Sequence, residues 1–179
     1  MIMTVKRGRP IIIRRAPGHR NRALVAFGHD VRPAALGRAG IRALKREGDG
    51  GTPLGRFPVR EIYYRADRVG RPRTQLRLRA IRDDDCWCDD PADRNYNQLG
   101  KLSSRRSSEG LKRVDHLYDL VLVLGYNDRP RIKGKGSAIF IHLARPGFTP
   151  TDGCIALSRH DLVRLVAHLH PRSMIVVLA

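Results

Sequence analysis

Residues 138–158 read AIFIHLARPGFTPTDGCIALS, and this stretch sets the fold and the chemistry that we expect of the chain. An apolar run ends close to His142, a loop with glycine and proline follows, and a Gly-Cys turn at Cys154 precedes a second apolar run. The pattern predicts a buried strand over residues 138–143. The reactive form of cysteine is the thiolate, so a nucleophilic cysteine needs a nearby imidazole to take its proton.

Gly153 allows the tight turn that would direct backbone N–H groups near Cys154 towards a developing oxyanion. The same residues also have a purely structural interpretation. A cysteine after a glycine is often a small buried core residue, and a histidine at the end of an apolar strand often has only a structural partner. The stretch taken alone leaves both interpretations open.

Outward from this stretch, short strands dominate the predicted structure. Apolar runs between turn residues predict strands over residues 10–14, 23–28, 30–36, 56–64, 76–81, 118–126 and 174–178. The 118–126 run is continuously apolar, which is typical of a central buried strand. In the 56–64 strand, we place on one face Phe57, Val59 and Tyr63, and on the other Ile62 and Tyr64.

The sequence predicts one helix, late in the chain. Ser158 stands three residues before Asp161, the spacing of an N-terminal capping interaction. Apolar residues then recur at helical intervals, at Leu162, Leu165, Val166 and Leu169. The expected fold class is therefore mostly β with α, a β-sandwich or mixed sheet with one late helix, in a single domain over residues 1–179.

A polar insert at about residues 83–108 interrupts the strand pattern. It is rich in Asp, Arg, Ser and Asn and contains Trp87 and Tyr96. Ordered segments of this length inside a domain often carry function. We predict that the insert lines or caps the cleft around Cys154, with Trp87 and Tyr96 as substrate-binding residues. The alternative is a surface excursion packed around its own tryptophan.

The charge of the chain favours an anionic partner. Lys and Arg total 35 against 17 Asp and Glu, for a formal net charge of +18. The basic residues are spread along the whole chain, so a nucleic acid, a carboxylate-rich peptide and plain solvation all fit. The aromatic share is only 6% and no nucleic-acid motif is recognisable, so we do not expect specific nucleic-acid binding.

The three cysteines are expected to be reduced. One residue separates Cys86 from Cys88, a spacing that strains a disulfide. A zinc site built from these two and His116 would lack the usual four ligands and the wider spacing within each pair. We therefore expect no metal, and place Cys86 and Cys88 as buried thiols beside Trp87.

The N-terminal residues do not resemble a signal peptide, because their one apolar run, at residues 11–13, is followed directly by arginines. No stretch has the length of a membrane span. The sequence as written predicts a cytoplasmic location. An export signal outside it would place the protein in the periplasm or cell wall.

Three ordered segments resemble the L,D-transpeptidase catalytic domain, also called the YkuD domain. Residues 151–155, TDGCI, resemble its nucleophile signature, which has Ser or Thr, usually His, then Gly-Cys and an aliphatic residue. Residues 139–142, IFIH, resemble the family's strand-terminal histidine. Residues 50–57, GGTPLGRF, resemble its Thr-Pro-x-Gly-x-Phe segment.

The resemblance implies a β-rich fold, a cysteine acyl-enzyme and peptidoglycan stem peptides or muropeptides as substrates. Cys154 would be the nucleophile, His142 the general base, and the backbone amides of Gly153 and Cys154 much of the oxyanion hole. Thr151 would belong to the catalytic turn. No metal or organic cofactor is implied. Transfer to an amine would form cross-links, and transfer to water would give carboxypeptidase or peptidase activity. A non-catalytic anion-binding protein is the alternative from another class.

The chain departs from the family pattern at two positions near the nucleophile. Asp152 replaces the usual His, and Ala156 stands where Arg is common. A carboxylate beside the sulfur opposes thiolate formation. An arginine such as Arg145 would have to neutralise Asp152 to remove this effect, and we also expect Arg145 to contact substrate.

Overall fold

Strands with alternating or continuous apolar residues assemble into one large mixed sheet. The computed structural model describes residues 10–102 and 107–179. Its strands and helices are β1 Ile11–Arg15, β2 Arg22–Phe27, β3 Asp30–Ala35, β4 Ile41–Arg42, β5 Thr52–Pro53, β6 Gly55–Tyr64, β7 Leu78–Ala80, β8 Asp85–Cys88, β9 Gln98–Lys101, β10 Ser108–Gly110, β11 Leu120–Leu124, β12 Phe140–Leu143, a 3₁₀ turn Pro146–Phe148, β13 Ile155–Leu157, α1 Arg159–His168 and β14 Met174–Leu178. Part of the predicted insert, at residues 103–106, lies outside the described residues.

The large sheet closes on itself. Its nine strands run in the order β11-β12-β13-β3-β2-β1-β14-β6-β7, and β11 also pairs with β6. The long strand β6 makes this possible, because its first half pairs with β14 and its second half pairs with β11. The prediction of a mostly β fold with a mixed sheet is confirmed.

Helix α1 packs into the main core, as its sequence pattern predicts. The Ser158 side chain accepts a hydrogen bond from the Asp161 backbone N–H at 3.1 Å, which caps the first turn. The apolar face of the helix joins the same buried cluster as the inward side chains of β1, β6 and β12, through Leu162, Leu165, Val166 and Leu169.

The face assignment predicted for the 56–64 strand is wrong in its first half. Phe57 and Val59 lie in the main core together with Ile62, whereas Tyr63 points to a second cluster. The cause is an irregularity in the β6–β11 pairing: Val123 lies opposite Glu61, but the next residue, Leu124, lies opposite Val59. The extra residue on β6 reverses the side-chain alternation.

The insert forms a small sheet of its own, β10-β8-β9, with antiparallel pairings. This sheet covers the outer face of the large sheet, and a second apolar cluster fills the space between them. The cluster contains Trp87 from the insert, and from the large sheet Val121, Val123 and Phe140 with the adjacent Cys154. The insert is therefore packed onto the strands that carry the candidate site.

Two further features concern the sequence predictions. All three cysteines are free, and Cys86 and Cys88 are buried. No helix in the described part of the chain is both long enough and apolar enough to span a membrane.

Candidate active site

The pairing of two neighbouring strands puts Cys154 and His142 on one face of the sheet. Strands β12 and β13 are parallel, with Ile141 opposite Ile155 and His142 opposite Ala156. Cys154 comes one residue before β13, and its Sγ receives a hydrogen bond from the Phe140 N–H at 3.4 Å. Side chains alternate along a strand, so His142 and Cys154 both face the side covered by the insert.

A glycine turn holds Cys154 in place. The Thr151 hydroxyl donates to the Cys154 carbonyl oxygen at 2.6 Å and accepts from the Gly153 N–H at 3.2 Å. Gly153 has a φ of 138°, and a Cβ at this position would lie 2.8 Å from the carbonyl oxygen of Gly51. The turn therefore requires glycine, both for its backbone conformation and for the close approach of Gly51.

The segment with residues 50–57 forms the floor beneath this turn. Thr52 accepts a hydrogen bond from the Gly37 N–H at 2.9 Å through its hydroxyl. Gly37 in turn forms a bridge with Thr151. Residues 50–57 thus lie beside residues 139–142 and 151–155, so the three segments that carry the family resemblance meet at one place in the fold.

The Cys154 sulfur is buried and protonated at rest. Its side chain donates to the Ala138 carbonyl oxygen at 3.1 Å. Burial, reinforced by the negative charge of Glu109, raises the pKa of the Cys154 thiol to about 12. The hydrogen bonds of the sulfur thus go to backbone atoms of the loop and strand that lead to His142.

The His142 imidazole is neutral and has a defined tautomer. Its Nδ1 lies 2.9 Å from the Leu143 carbonyl oxygen. A carbonyl oxygen can only accept, so Nδ1 carries the proton and Nε2 is the basic nitrogen. Burial, with a smaller contribution from the charges of Arg113 and Arg145, lowers the pKa of His142 to about 4. A direct hydrogen bond between His142 and the sulfur stays a prediction.

A cleft of about 430 Å³ gives access to both groups. Its lining includes Cys154, His142, four carboxylates and two guanidinium groups; the charged residues are Glu47, Asp89, Glu109, Asp152, Arg113 and Arg145. The cleft therefore carries more acidic than basic side chains, in contrast to the net charge of +18 for the whole chain.

Tyr118 and Glu109 both line the cleft and contact each other, which the sequence did not predict. The Tyr118 hydroxyl donates to Glu109 Oε1 at 2.5 Å, and the Tyr118 ring packs edge-on against the His142 ring at 5.3 Å between centroids. The Arg113 guanidinium lies over the Tyr118 ring, 5.2 Å from its centroid. Tyr118 begins an apolar run and Glu109 follows a serine-rich segment, so neither stands out before the chain is folded.

The arginine that pairs with Asp152 is Arg38 and not the candidate Arg145. Asp152 forms an ion pair with Arg38, not with Arg145, and the Asp152 side chain is largely exposed. Arg38 follows β3, whose end is held beside the turn of residues 151–154 by the hydrogen bond from the Arg38 N–H to the Thr151 carbonyl oxygen. Arg145 itself lines the cleft.

Trp87 and Tyr96 pack against residues of the cleft region without lining the cleft themselves. Both are buried, and Trp87 packs edge-on against Phe140 with 5.1 Å between ring centroids. The Tyr96 hydroxyl donates to Glu47 and accepts from the Gly136 N–H at 3.0 Å. Neither side chain lines the cleft itself; among the described residues of the insert, Asp89 does.

Asn97, which the sequence did not single out, links the insert to the strand of the site. Its Oδ1 accepts from Trp87 Nε1 at 2.9 Å and from the Ala138 N–H at 3.1 Å. Ala138 is the residue whose carbonyl oxygen accepts the hydrogen bond from the Cys154 thiol. The only sequence signal for Asn97 is that asparagine tolerates a left-handed turn, which it adopts here with a φ of 56°.

The structure does not bring Cys86, Cys88 and His116 together as ligands of one metal ion. His116 is paired with Asp119 at 2.9 Å, while Cys86 and Cys88 lie in the buried strand β8. Within residues 10–102 and 107–179, no cluster of three His, Cys, Asp or Glu side chains is arranged to hold a metal ion.

Comparison with known proteins identifies the family. The family model described as the L,D-transpeptidase catalytic domain, YkuD, matches residues 15–177, nearly the whole chain. Comparison with curated proteins and with solved structures gives no significant match.

Proposed function

Because the chain belongs to the L,D-transpeptidase catalytic-domain family, we propose that it is a cysteine acyltransferase that acts on peptidoglycan stem peptides. Cys154 is the nucleophile and His142 the general base. The observation that carries this proposal is the β12–β13 pairing, which fixes both side chains on one sheet face beside the same cleft.

The first step transfers a proton while a carbon–sulfur bond forms. With the thiol pKa raised and the imidazole pKa lowered, the neutral pair is favoured over a resting thiolate–imidazolium pair. The S–H proton therefore moves to Nε2 of His142 as the sulfur attacks the substrate carbonyl, whose π electrons move to the oxygen. The backbone N–H of Cys154 stabilises this oxyanion, and the Gly153 N–H contributes once it is released from the Thr151 hydroxyl to which it donates at rest.

Two further steps complete the reaction and return the proton to the Cys154 sulfur. The tetrahedral intermediate collapses, the carbon–nitrogen bond breaks, and Nε2 protonates the departing amine, which leaves a thioester on Cys154. An acceptor then attacks the thioester carbonyl while His142 takes the acceptor's proton. The carbon–sulfur bond breaks as the product leaves, and the proton passes from Nε2 of His142 to the Cys154 sulfur. An amine acceptor gives a cross-link, and water gives carboxypeptidase or peptidase activity.

The charges of the cleft suit a substrate that carries both signs. Glu47, Asp89 and Glu109 can bind an ammonium group, and Arg113 and Arg145 can bind carboxylates. Peptidoglycan stem peptides carry both kinds of group. The surplus of carboxylates in the cleft argues against the alternative in which this site is a non-catalytic binding site for nucleic acid.

Intact-mass spectrometry after incubation with a carbapenem tests the proposal, since such β-lactams commonly acylate the cysteine of this family. We expect one adduct per chain, located at Cys154, and turnover of a tetrapeptide muropeptide. Cys154→Ala should lose both, whereas the matched variants Cys86→Ala and Cys88→Ala should retain both. A Cys154→Ala protein that still turns over the muropeptide would refute the mechanism.

A further inference from the structure

A second cavity, of about 480 Å³, lies between α1 and the loop of residues 68–73. It shares no lining residue with the catalytic cleft. Its volume is within the range of about 300–1,000 Å³ that is usual for small-molecule sites. The proposed catalytic function makes no use of it.

One side of this cavity is apolar. The apolar part of its lining consists of Val69 and Pro72 from the loop, Leu120 from β11, and Val163 and Ala167 from α1. The Val163 side chain is 50% exposed, although the apolar residues on the opposite side of the helix are buried. An apolar wall that stays open to water offers a place for a hydrocarbon chain.

The rest of the lining is strongly basic. Four guanidinium groups belong to it, from Arg68, Arg71, Arg73 and Arg159. A single fully buried carboxylate, Asp119, offsets them and binds two, Arg159 at 2.6 Å and Arg68 at 3.2 Å. These two arginines are held in place by that carboxylate.

Arg71 and Arg73 are the cationic groups left for a ligand. Both are exposed, and neither forms an ion pair with another described residue. Four guanidinium groups against one carboxylate leave a surplus of three positive charges around the cavity. The planar guanidinium fork suits bidentate binding of phosphate or carboxylate oxygens.

We propose that this cavity is a binding site for an anionic amphiphile, a hydrocarbon chain that ends in a phosphate group. The chain lies against the apolar wall that includes Val163, and the phosphate binds Arg71 and Arg73. A simple anion would leave the apolar wall exposed to water, and a neutral chain would leave the arginines without a counter-charge. The combination of both surfaces selects a ligand that has both parts.

Isothermal titration calorimetry with monomeric decyl phosphate tests this proposal on the full chain. We compare inorganic phosphate, which has the same charged group without the chain, and decyltrimethylammonium, which has the same chain with the opposite charge. Decyl phosphate should bind at least tenfold more tightly than either. Equal affinity for inorganic phosphate would overturn the amphiphile assignment.

Variants separate this site from the general charge of the surface. Arg71→Glu with Arg73→Glu should weaken decyl phosphate binding at least tenfold, and so should Val163→Glu. The matched control, Arg131→Glu with Lys133→Glu, makes the same change in net charge on exposed residues that do not line this cavity and should bind as the wild type does. An equal loss in the control, or no binding by the wild type, would overturn the proposal. Carbapenem acylation, which depends on Cys154, should be unchanged in all of these variants.

Discussion

Replacing Asn97 tests whether the insert holds the catalytic strand in position. The buried side-chain amide of Asn97 makes four hydrogen bonds. Two are accepted from Trp87 and Ala138, and two are donated to the carbonyl oxygens of Tyr126 and Asn127 at 2.9 Å. Truncating the side chain removes all four at once.

The size of the effect follows from the groups left behind. Asn97→Gly keeps the left-handed backbone conformation accessible but leaves two N–H donors unpaired, the buried one of Trp87 and the partly buried one of Ala138. Each orphaned donor costs about 1–3 kcal/mol, so we expect the free energy of unfolding to fall by about 2–6 kcal/mol. Asn97→Ala adds the strain of an alanine at positive φ, about 1 kcal/mol more. The free energy of unfolding of a domain is usually about 5–15 kcal/mol, so this loss is a large share of it and both variants are compared at low temperature.

Urea unfolding followed by tryptophan fluorescence measures these differences, and carbapenem acylation of Cys154 measures the effect on the site. Acylation should slow in both variants at temperatures where circular dichroism still shows the fold, because Ala138 carries the carbonyl oxygen that binds the thiol. If Asn97→Gly unfolds at the wild-type urea concentration and acylates at the wild-type rate, the insert does not support the site.

Three further predictions concern the catalytic groups. Gly153→Ala should abolish acylation, measured by intact mass, with a circular dichroism spectrum like that of the wild type, because its Cβ would meet a backbone carbonyl oxygen at 2.8 Å. The folded-state pKa of His142 is about 4, below its unfolded value, so the unfolded chain binds more protons between about pH 6.5 and pH 4. The stability that comes from the neutral imidazole should thus be lost as pH falls through that window. We measure the free energy of unfolding against pH for the wild type and for His142→Gln. If both proteins show the same slope in this window, the prediction is wrong. Glu109→Gln should keep the hydrogen bond to Tyr118 but remove a negative charge that opposes thiolate formation, so iodoacetamide should alkylate Cys154 faster at a given pH; the exposed Asp84→Asn is the control.

Local sequence patterns predicted the elements whose side chains follow one simple rule. Helix α1 has a capping residue and a regular apolar face, and β11 is apolar throughout, so both lie where their sequences place them. The face of β6 was mispredicted because an extra residue in its pairing leaves no signature in the alternation of Phe57 and Val59. Closure of the sheet depends on the pairing of β11 with β6, and the sequence pattern of one strand does not predict its partner.

At the site, the sequence identified the residues that carry chemistry more readily than those that position them. Cys154 and His142 stand in short motifs with recognisable chemistry. Arg38 pairs with Asp152 from 114 positions away in the chain, a proximity that only the folded β3–β13 contact creates. Asn97 acts through hydrogen bonds to backbone and to Trp87, and such partners have no sequence pattern.

The pairing of β12 with β13 means that the segment connecting them does not itself set the distance between Cys154 and His142. The spacing between Cys154 and His142, the proposed nucleophile and base, is set by the pairing of neighbouring strands, so it does not depend on the length of the connecting residues 145–150. Arg145, Thr149 and Pro150 in this connection form part of the cleft mouth. Under the proposed mechanism, changes of length or composition at residues 145–150 would alter which acceptor enters while Cys154 and His142 keep their distance. This connection is the place where a new acceptor preference could evolve, or be engineered, at the least cost to the reaction itself.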